Sequence, residues 1–438
     1  MPKQIALPMG DDEELDTLPH DLPDTHSDEP PRRDGAPTAP PTFHGDGEPM
    51  TFPLSSTPPP APPLSLVREF DVSLLALSKV RGVGTKTLRA LYERFPDLSQ
   101  VWQTDLATLA DILHGMRVKD ARMIATTILD EQEVLRTEAQ RTLHRFRSES
   151  ISLVARHDPA FPKRLAERPD GPYWLFVEGK IEALHAPLIG IVGTRRPSPI
   201  GIQATERLTA LICREGFGVV SGLAEGIDAA AHRVGLYYQA PQVGVLGTGI
   251  DIIFPASTEG IRQRIVETGG AVITEYMPGD NYSRANFVQR NRIQAALALA
   301  LCPVESQEQS GTAHTVRFTE QYGRPLFGVV RGEPSPQNDM VRLLTTARHP
   351  TFDLEQRERI TALIDWLRSV TPAESVPAAR RQVNGRWFFQ DLLRLVDDIV
   401  ADVPVLPEDL AWFQAQISAR VSAPEAPQQR KSKQQGRG

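Results

Sequence analysis

The chain has 438 residues, 48 Lys+Arg against 55 Asp+Glu, a formal charge of −7 and 38 prolines. That length allows two or three domains with a sizeable core. Two cysteines, Cys213 and Cys302, cannot build a disulfide framework, no Cys/His spacing suits zinc, and the longest apolar stretch, about 295–304, falls well short of the ~20 residues a bilayer span requires.

Residues 1–66 hold twelve Asp/Glu, three Lys/Arg (Lys3, Arg32, Arg33) and 16 of the 38 prolines. Their balance is −9, so the remaining 372 residues carry +2. The segment has no apolar periodicity, and it is expected to be a disordered acidic, Pro-rich tail. It also lacks the basic and apolar regions of a secretory signal, which points to a cytoplasmic protein. Whole-chain acidity would argue against a nucleic-acid ligand, since phosphates are neutralised by Lys and Arg. Counted by region, that objection lapses. As a mobile polyanion, the tail is expected to compete with such a ligand, so its removal should tighten binding.

Residues 67–150 read as helical. Leu88, Leu91 and Phe95 recur at helical spacing, and so do residues within Asp105–Leu113 and Asp120–Phe146, such as Ile124, Ile128 and Leu135. Val80–Thr87 (VRGVGTKT) joins two short helices through a G-x-G turn, and Leu113–Lys119 resembles a degenerate second copy. Such a helix–hairpin–helix offers backbone N–H groups to phosphates, making Gly82, Gly84 and Lys86 candidates for a secondary DNA contact. Tyr173–Val177 (YWLFV), in a mixed connector at 151–182, reads as a strand.

Residues 187–332 hold 19 of the 31 glycines. Apolar runs at Leu188–Val192, Gly218–Val220, Val243–Leu246, Ala271–Ile273, Ala298–Val304 and Leu326–Val330 alternate with helical stretches at Ile202–Arg214, Ile227–Val234, Thr258–Glu267, Arg290–Leu297 and Thr312–Tyr322. This alternation predicts an α/β fold with a doubly wound parallel sheet. Beyond it, 333–383 is weakly patterned and reads as an extension. Residues 384–422 contain two helix-like stretches, and 423–438 form a basic tail expected to be disordered.

The chemistry is expected where the glycines fall, at the strand ends. Gly193, Arg195, Arg196 and Ser198 follow the first strand and open a helix, where free N–H groups and the dipole favour an anion. The loop is neither G-x-G-x-x-G nor a Walker A sequence. Ser221 and Gly222 follow the second strand, with Asp228 and His232 at i, i+4; that pair reads either as acid and base or as a carboxylate orienting a histidine. Gly247, Thr248 and Gly249 follow the third strand. Such carboxyl-end loops line one crevice. Phe287, Arg290, Asn291 and Arg292 combine basic and aromatic groups at a helix start, a pattern suited to a nucleic-acid strand. Ser310 and Gly311 begin a further helix after a strand and offer another anion position.

In order, GTRRPSPIG, SGLAEGIDAAAH, GTGIDIIFP, TEY, NFVQRNRI and VES…SG, preceded by HDPAFPKRL…YWLFVEGK, resemble the DprA/Smf family of bacterial DNA-processing proteins. The resemblance covers about residues 151–332. It implies an extended Rossmann-like domain, with the helical 67–150 matching the helix–hairpin–helix (SAM-like) domain often found before it and a short helical region following. It implies binding of single-stranded DNA without sequence preference, loading of the RecA recombinase in natural transformation, exchange with single-strand-binding protein, and homodimerisation. It also implies no enzymatic reaction, no cofactor, no metal and no membrane. The family's phosphate-contacting arginine falls on Arg195, and its R-N-R element on Arg290 and Arg292. A competing reading is a nucleotide sensor or nucleoside-monophosphate hydrolase. Enzymes of that kind carry a glutamate where Thr315 stands here. A third reading is a scaffold for partner proteins.

Overall fold

The computed structural model describes residues 68–371, apart from 96 and 333–337. The expectations for the 1–66 tail, the 384–422 helices and the 423–438 tail lie outside the described residues.

Five helices open the described chain: α1 (Glu69–Ser78), α2 (Thr85–Arg94), α3 (Leu106–Gly115), α4 (Ala121–Asp130) and α5 (Gln132–Ser148). α1 is apolar on nearly every side, and Phe70 through Leu77 are buried, so it forms the centre of this region. Asp105 caps α3 by accepting from the Thr108 amide at 3.0 Å. The stretch 120–146, read from sequence as one helical pattern, is two helices broken at Glu131. The turn between α1 and α2 needs glycine: Gly82 has φ +95°, and a Cβ there would stand 2.6 Å from Ile124 Cδ1 of α4. The first helical pair therefore packs its turn against the second.

The chain continues through β1 (Ile151–Ala155), α6 (Lys163–Ala166), β2 (Trp174–Gly179), β3 (Leu188–Val192), α7 (Pro199–Arg214), β4 (Gly218–Ser221), α8 (Ile227–Tyr237), β5 (Gln242–Val245), α9 (Glu259–Glu267), β6 (Ala271–Thr274), α10 (Arg284–Leu297), β7 (Ala300–Pro303) and α11 (Gly311–Gln321). The sheet order is β1-β2-β6-β5-β4-β3-β7. β6, β5, β4, β3 and β7 run parallel. Ile189 and Ile191 join Leu208, Ile212 and Ala231 of α7 and α8 in one core. Leu188, Val220 and Val243 join Ile293 and Leu297 of α10 in another. This is the two-sided burial that continuously apolar strands require. The strand order reverses between β3 and β7, so the loops after them open to opposite faces and leave a crevice at that point.

Three expectations are corrected. The sheet is mixed, because β1 and β2 extend it as antiparallel strands, with Val177 opposite Ile273. The run Leu326–Val330 does not complete it: Leu326 makes one bridge to Leu301, and β8 (Gly328–Val330) then pairs in parallel with β9 (Thr351–Asp353). The described part of 333–383 is therefore folded structure, with α12 (Asp339–Thr346), β9 and α13 (Arg357–Val370). Phe352, Leu363 and Leu367 bury themselves against Phe327 in the same core as α7. The two cysteines are buried, and burial pushes the Cys213 thiol up to about 12.

Candidate nucleic-acid interface

Residues from five loops meet at the carboxyl ends of the parallel strands, and α10 supplies the side chains that fill the space between them. Arg195 and Arg196, in the loop after β3, are exposed. The Arg195 guanidinium lies 5.4 Å from the centroid of the half-buried Phe287 ring. Phe287 in turn lies 5.7 Å from Phe254, which stacks on the exposed Tyr282 at 4.3 Å and 20°. An open rim thus carries a cation at one end and three rings in sequence.

The interior of the crevice is closed. A Cβ on Gly247 would stand 2.6 Å from the Phe287 ring, and one on Gly193 would stand 2.6 Å from Ile227. A Cβ on Gly222 would collide with the Arg290 guanidinium. These glycines make room for the protein's own side chains. Ser221 is fully buried and donates to Ile191 O. Thr248 is buried with its hydroxyl unpaired, and Gly249 donates to Asp280 O at 2.8 Å.

Arg290 and Arg292 are not on the surface, as their sequence pattern suggested. Arg290 is 5 % exposed and donates to Gly222 O at 2.8 Å and to Val245 O. Its guanidinium also lies 5.7 Å from the Phe287 centroid, so it supports that ring from below. Burial lowers Arg290 to about 10, against the opposing pull of Asp228, and leaves it cationic at neutral pH. Arg292 is 4 % exposed and grips Glu275 with two 2.7 Å contacts, while its Nε donates to Asp170 O. Asn291 is buried and donates to Gly311 O at 3.1 Å. Ser310, preceding α11, donates to Gln307 O.

The Asp228–His232 pairing is also corrected. Asp228 is buried, accepts from the Gly222 amide at 3.0 Å, and has its carboxyl raised by burial. His232 Nδ1 instead meets Gln242 Oε1 at 2.8 Å. Burial holds that imidazole down at about 4, so it is neutral across the physiological range. Both groups are buried.

The helix N-terminus after β3 is occupied from within. Ser198 caps α7, accepting from the Gly201 amide at 3.0 Å. Its own amide and hydroxyl both donate to the Glu305 carboxylate, at 3.0 and 2.6 Å. The helical region is latched nearby: Arg89 of α2 reaches Glu275 at 2.6 Å, Tyr92 meets His157 at 2.7 Å, and Arg68 reaches Asp158 at 2.6 Å. Gly82, Gly84 and Lys86 are exposed on the turn before α2 and within its first residues.

Comparison with known proteins fits this arrangement. The family described as DNA recombination-mediator protein A matches residues 152–344. Protein Smf of Synechocystis is 31% identical over 259 residues, which cover 58% of this chain and 63% of that protein. Protein Smf of Escherichia coli K12 is 30% identical over 258 residues, covering 58% and 68%. The chain belongs to the DprA/Smf family. The match spans just under two thirds of the Synechocystis relative's length. The crystal structure of DprA from Streptococcus pneumoniae shares the fold, with a TM-score of 0.52 over 68% of this chain and 98% of that one at 23% identity.

Among the described residues, no group of three or more His, Cys, Asp and Glu side chains is placed to hold a metal ion. Nor is any described helix long and apolar enough to cross a membrane. Four residues of the arrangement were not among the expected contacts: Phe254, Tyr282, Glu275 and Glu305, although the quoted TEY and VES runs contain the two glutamates. The first two stand in the quoted GTGIDIIFP run and just ahead of NFVQRNRI, where an aromatic beside a loop was the available signal. The two glutamates act through contacts that no spacing encodes.

Proposed function

We propose that this chain is a single-stranded DNA-binding recombination mediator that holds a strand along the rim of the crevice and does no chemistry on it. The observation that carries the reading is the row formed by Arg195, Phe287, Phe254 and Tyr282 on one open edge. A single strand offers a charge and a π-face at each nucleotide, and this edge offers a cation and rings without a base-specific pocket. Arg195 and Arg196 take phosphates, and Tyr282 and Phe254 take bases. Arg290 and Arg292 act from beneath by fixing Phe287 and α10. A free nucleotide suits the site less well, since the strand-end glycines are covered by Phe287, Arg290 and Ile227.

In this reading the parallel sheet is Rossmann-like, and α1–α2 is a helix–hairpin–helix whose Gly82, Gly84 and Lys86 touch DNA secondarily. Ser310 and Gly311, beside Asn291 of α10, offer a further anion position. Loading of RecA, exchange with single-strand-binding protein, a role in natural transformation in the cytoplasm, and homodimerisation complete the proposal, supported by membership of the family. The test is fluorescence anisotropy with single- and double-stranded oligomers across a salt series. Single strands are expected to bind better, with a log–log salt slope of about −0.7 per phosphate contacted. No binding at low salt, or a preference for duplex, overturns the reading.

A further inference from the structure

Glu305 lies at the end of β7, beside β3, where the strand order reverses. This is where open α/β sheets place their ligands, and the N-terminus of α7 is the part of the crevice best suited to a phosphate. The position is taken. Glu305 is 2 % exposed, and its carboxylate accepts from the Ser198 amide at 3.0 Å and the Ser198 hydroxyl at 2.6 Å. That hydroxyl also accepts from the Gly201 amide, relaying the carboxylate to the first helical turn. The backbone is tied as well, because Glu305 O accepts from the Thr194 amide at 2.8 Å. Any Cβ on Gly201 would collide with Glu305 Oε2, so that glycine makes room for the carboxylate.

We propose that Glu305 is a built-in anion that keeps phosphate out of the α7 N-terminus and so makes the protein select a strand on its rim over a free nucleotide in its crevice. The physical basis is direct. The amide, the hydroxyl and the dipole that would hold a phosphate hold a carboxylate instead. A second anion at the same place meets like charge and filled volume. Phosphates are left with Arg195 and Arg196, which stand clear of this seat in solvent. The inference rests on the strand-binding reading above and assigns Glu305 a specificity role within it.

The test compares the full chain with Glu305→Ala and Glu305→Gln. Thermal melting is followed in inorganic phosphate and in thymidine monophosphate, against chloride at matched ionic strength. Wild type and Glu305→Gln, whose amide still fills the seat, are expected to show no phosphate-specific rise. Glu305→Ala is expected to gain roughly 3–6 °C when phosphate reaches about ten times its dissociation constant. A saturable rise in wild type as large as that of Glu305→Ala, beyond the general stabilisation that phosphate gives a fold over chloride, overturns the proposal, and so does a folded Glu305→Ala that gains nothing beyond it. If Glu305→Ala does not fold, Arg195→Ala, in which the rim seat is weakened and Glu305 is intact, still decides: it is expected to show no saturable melting rise with thymidine monophosphate at constant ionic strength. A saturable rise there overturns the idea. Failure of wild type to bind oligo(dT) at all would instead remove the strand-binding reading, while the melting arm still reports on Glu305.

Discussion

In the loop after β3, Arg195 and Arg196 stand in solvent, with Arg195 over the Phe287 ring. On α10, a helix of 14 residues and about 21 Å, Arg290 and Arg292 are buried, and backbone carbonyls and Glu275 take up donors of theirs. The two pairs have the same chemistry and opposite employment. A solvated guanidinium keeps its donors available and loses little by meeting a phosphate. A buried one has already committed them to the fold, and drawing it out would strip Glu275 of one of its arginines or leave the Gly222 carbonyl without that donor. The contrast separates residues that hold the rim in place from residues that present it.

The sharpest way to break this comparison is to remove the buried partner. Arg292→Ala is expected to cost about 3–5 kcal/mol of stability, because the buried Glu275 loses its two-pronged partner and keeps Arg89. Urea unfolding checks this. A midpoint equal to that of Arg195→Ala would erase the distinction between the two regions.

On the rim, the exposed Tyr282 should matter to DNA and not to folding. Tyr282→Ala is expected to weaken single-strand binding by roughly 1–3 kcal/mol, read by anisotropy, with its melting temperature near that of wild type. An unchanged affinity would take the base-stacking role away from this end of the rim.

The interior should also betray itself through pH. His232 is held at about 4 in the fold against 6.5 in the unfolded chain, so the unfolded state takes up the proton first. Its contribution to stability is complete above pH 6.5 and declines as pH falls towards 4. Between pH 7 and 5 the loss is on the order of 2 kcal/mol. His232→Leu is expected to flatten that part of a stability–pH curve. A parallel decline in both proteins would assign the effect elsewhere.

The smallest expected effect sharpens the other side. Arg195→Ala should leave stability within about 0.5 kcal/mol. Its salt slope for oligonucleotide binding should shrink by about 0.7, alike for all base sequences. A change that depended on sequence would mean that Arg195 reads bases.

Much of the architecture was legible because burial on both faces of a parallel strand leaves an unmistakable apolar run. The range Leu188–Val192 agrees with β3 residue for residue, and Ile227 opens α8 as expected. The sheet edges were less legible. The run Leu326–Val330 contains β8, but its partner β9 has three residues, too few for a period to emerge, and the antiparallel joining of β2 to β6 pairs segments nearly 100 residues apart. At the site, the glycine positions were visible but their occupants were not. A gap at Gly222 looks the same in sequence whether a ligand or Arg290 fills it.

By itself the sequence determined the alternation of strands and helices over 187–332, the loops that gather at the crevice, the acidic balance of 1–66 and the residue pattern of the family. Local propensity and apolar periodicity are properties of neighbouring residues, so they survive without a fold. Only the tertiary structure decided which arginines face water, that Phe254 and Tyr282 join Phe287 in one row, that Glu275 ties α2 to α10, and that Glu305 sits at the start of α7. Each of those depends on burial or on contacts between residues distant in the chain. Whether a charge is free or spent is set by the dielectric and the partners around it, and these exist only once the chain has closed on itself.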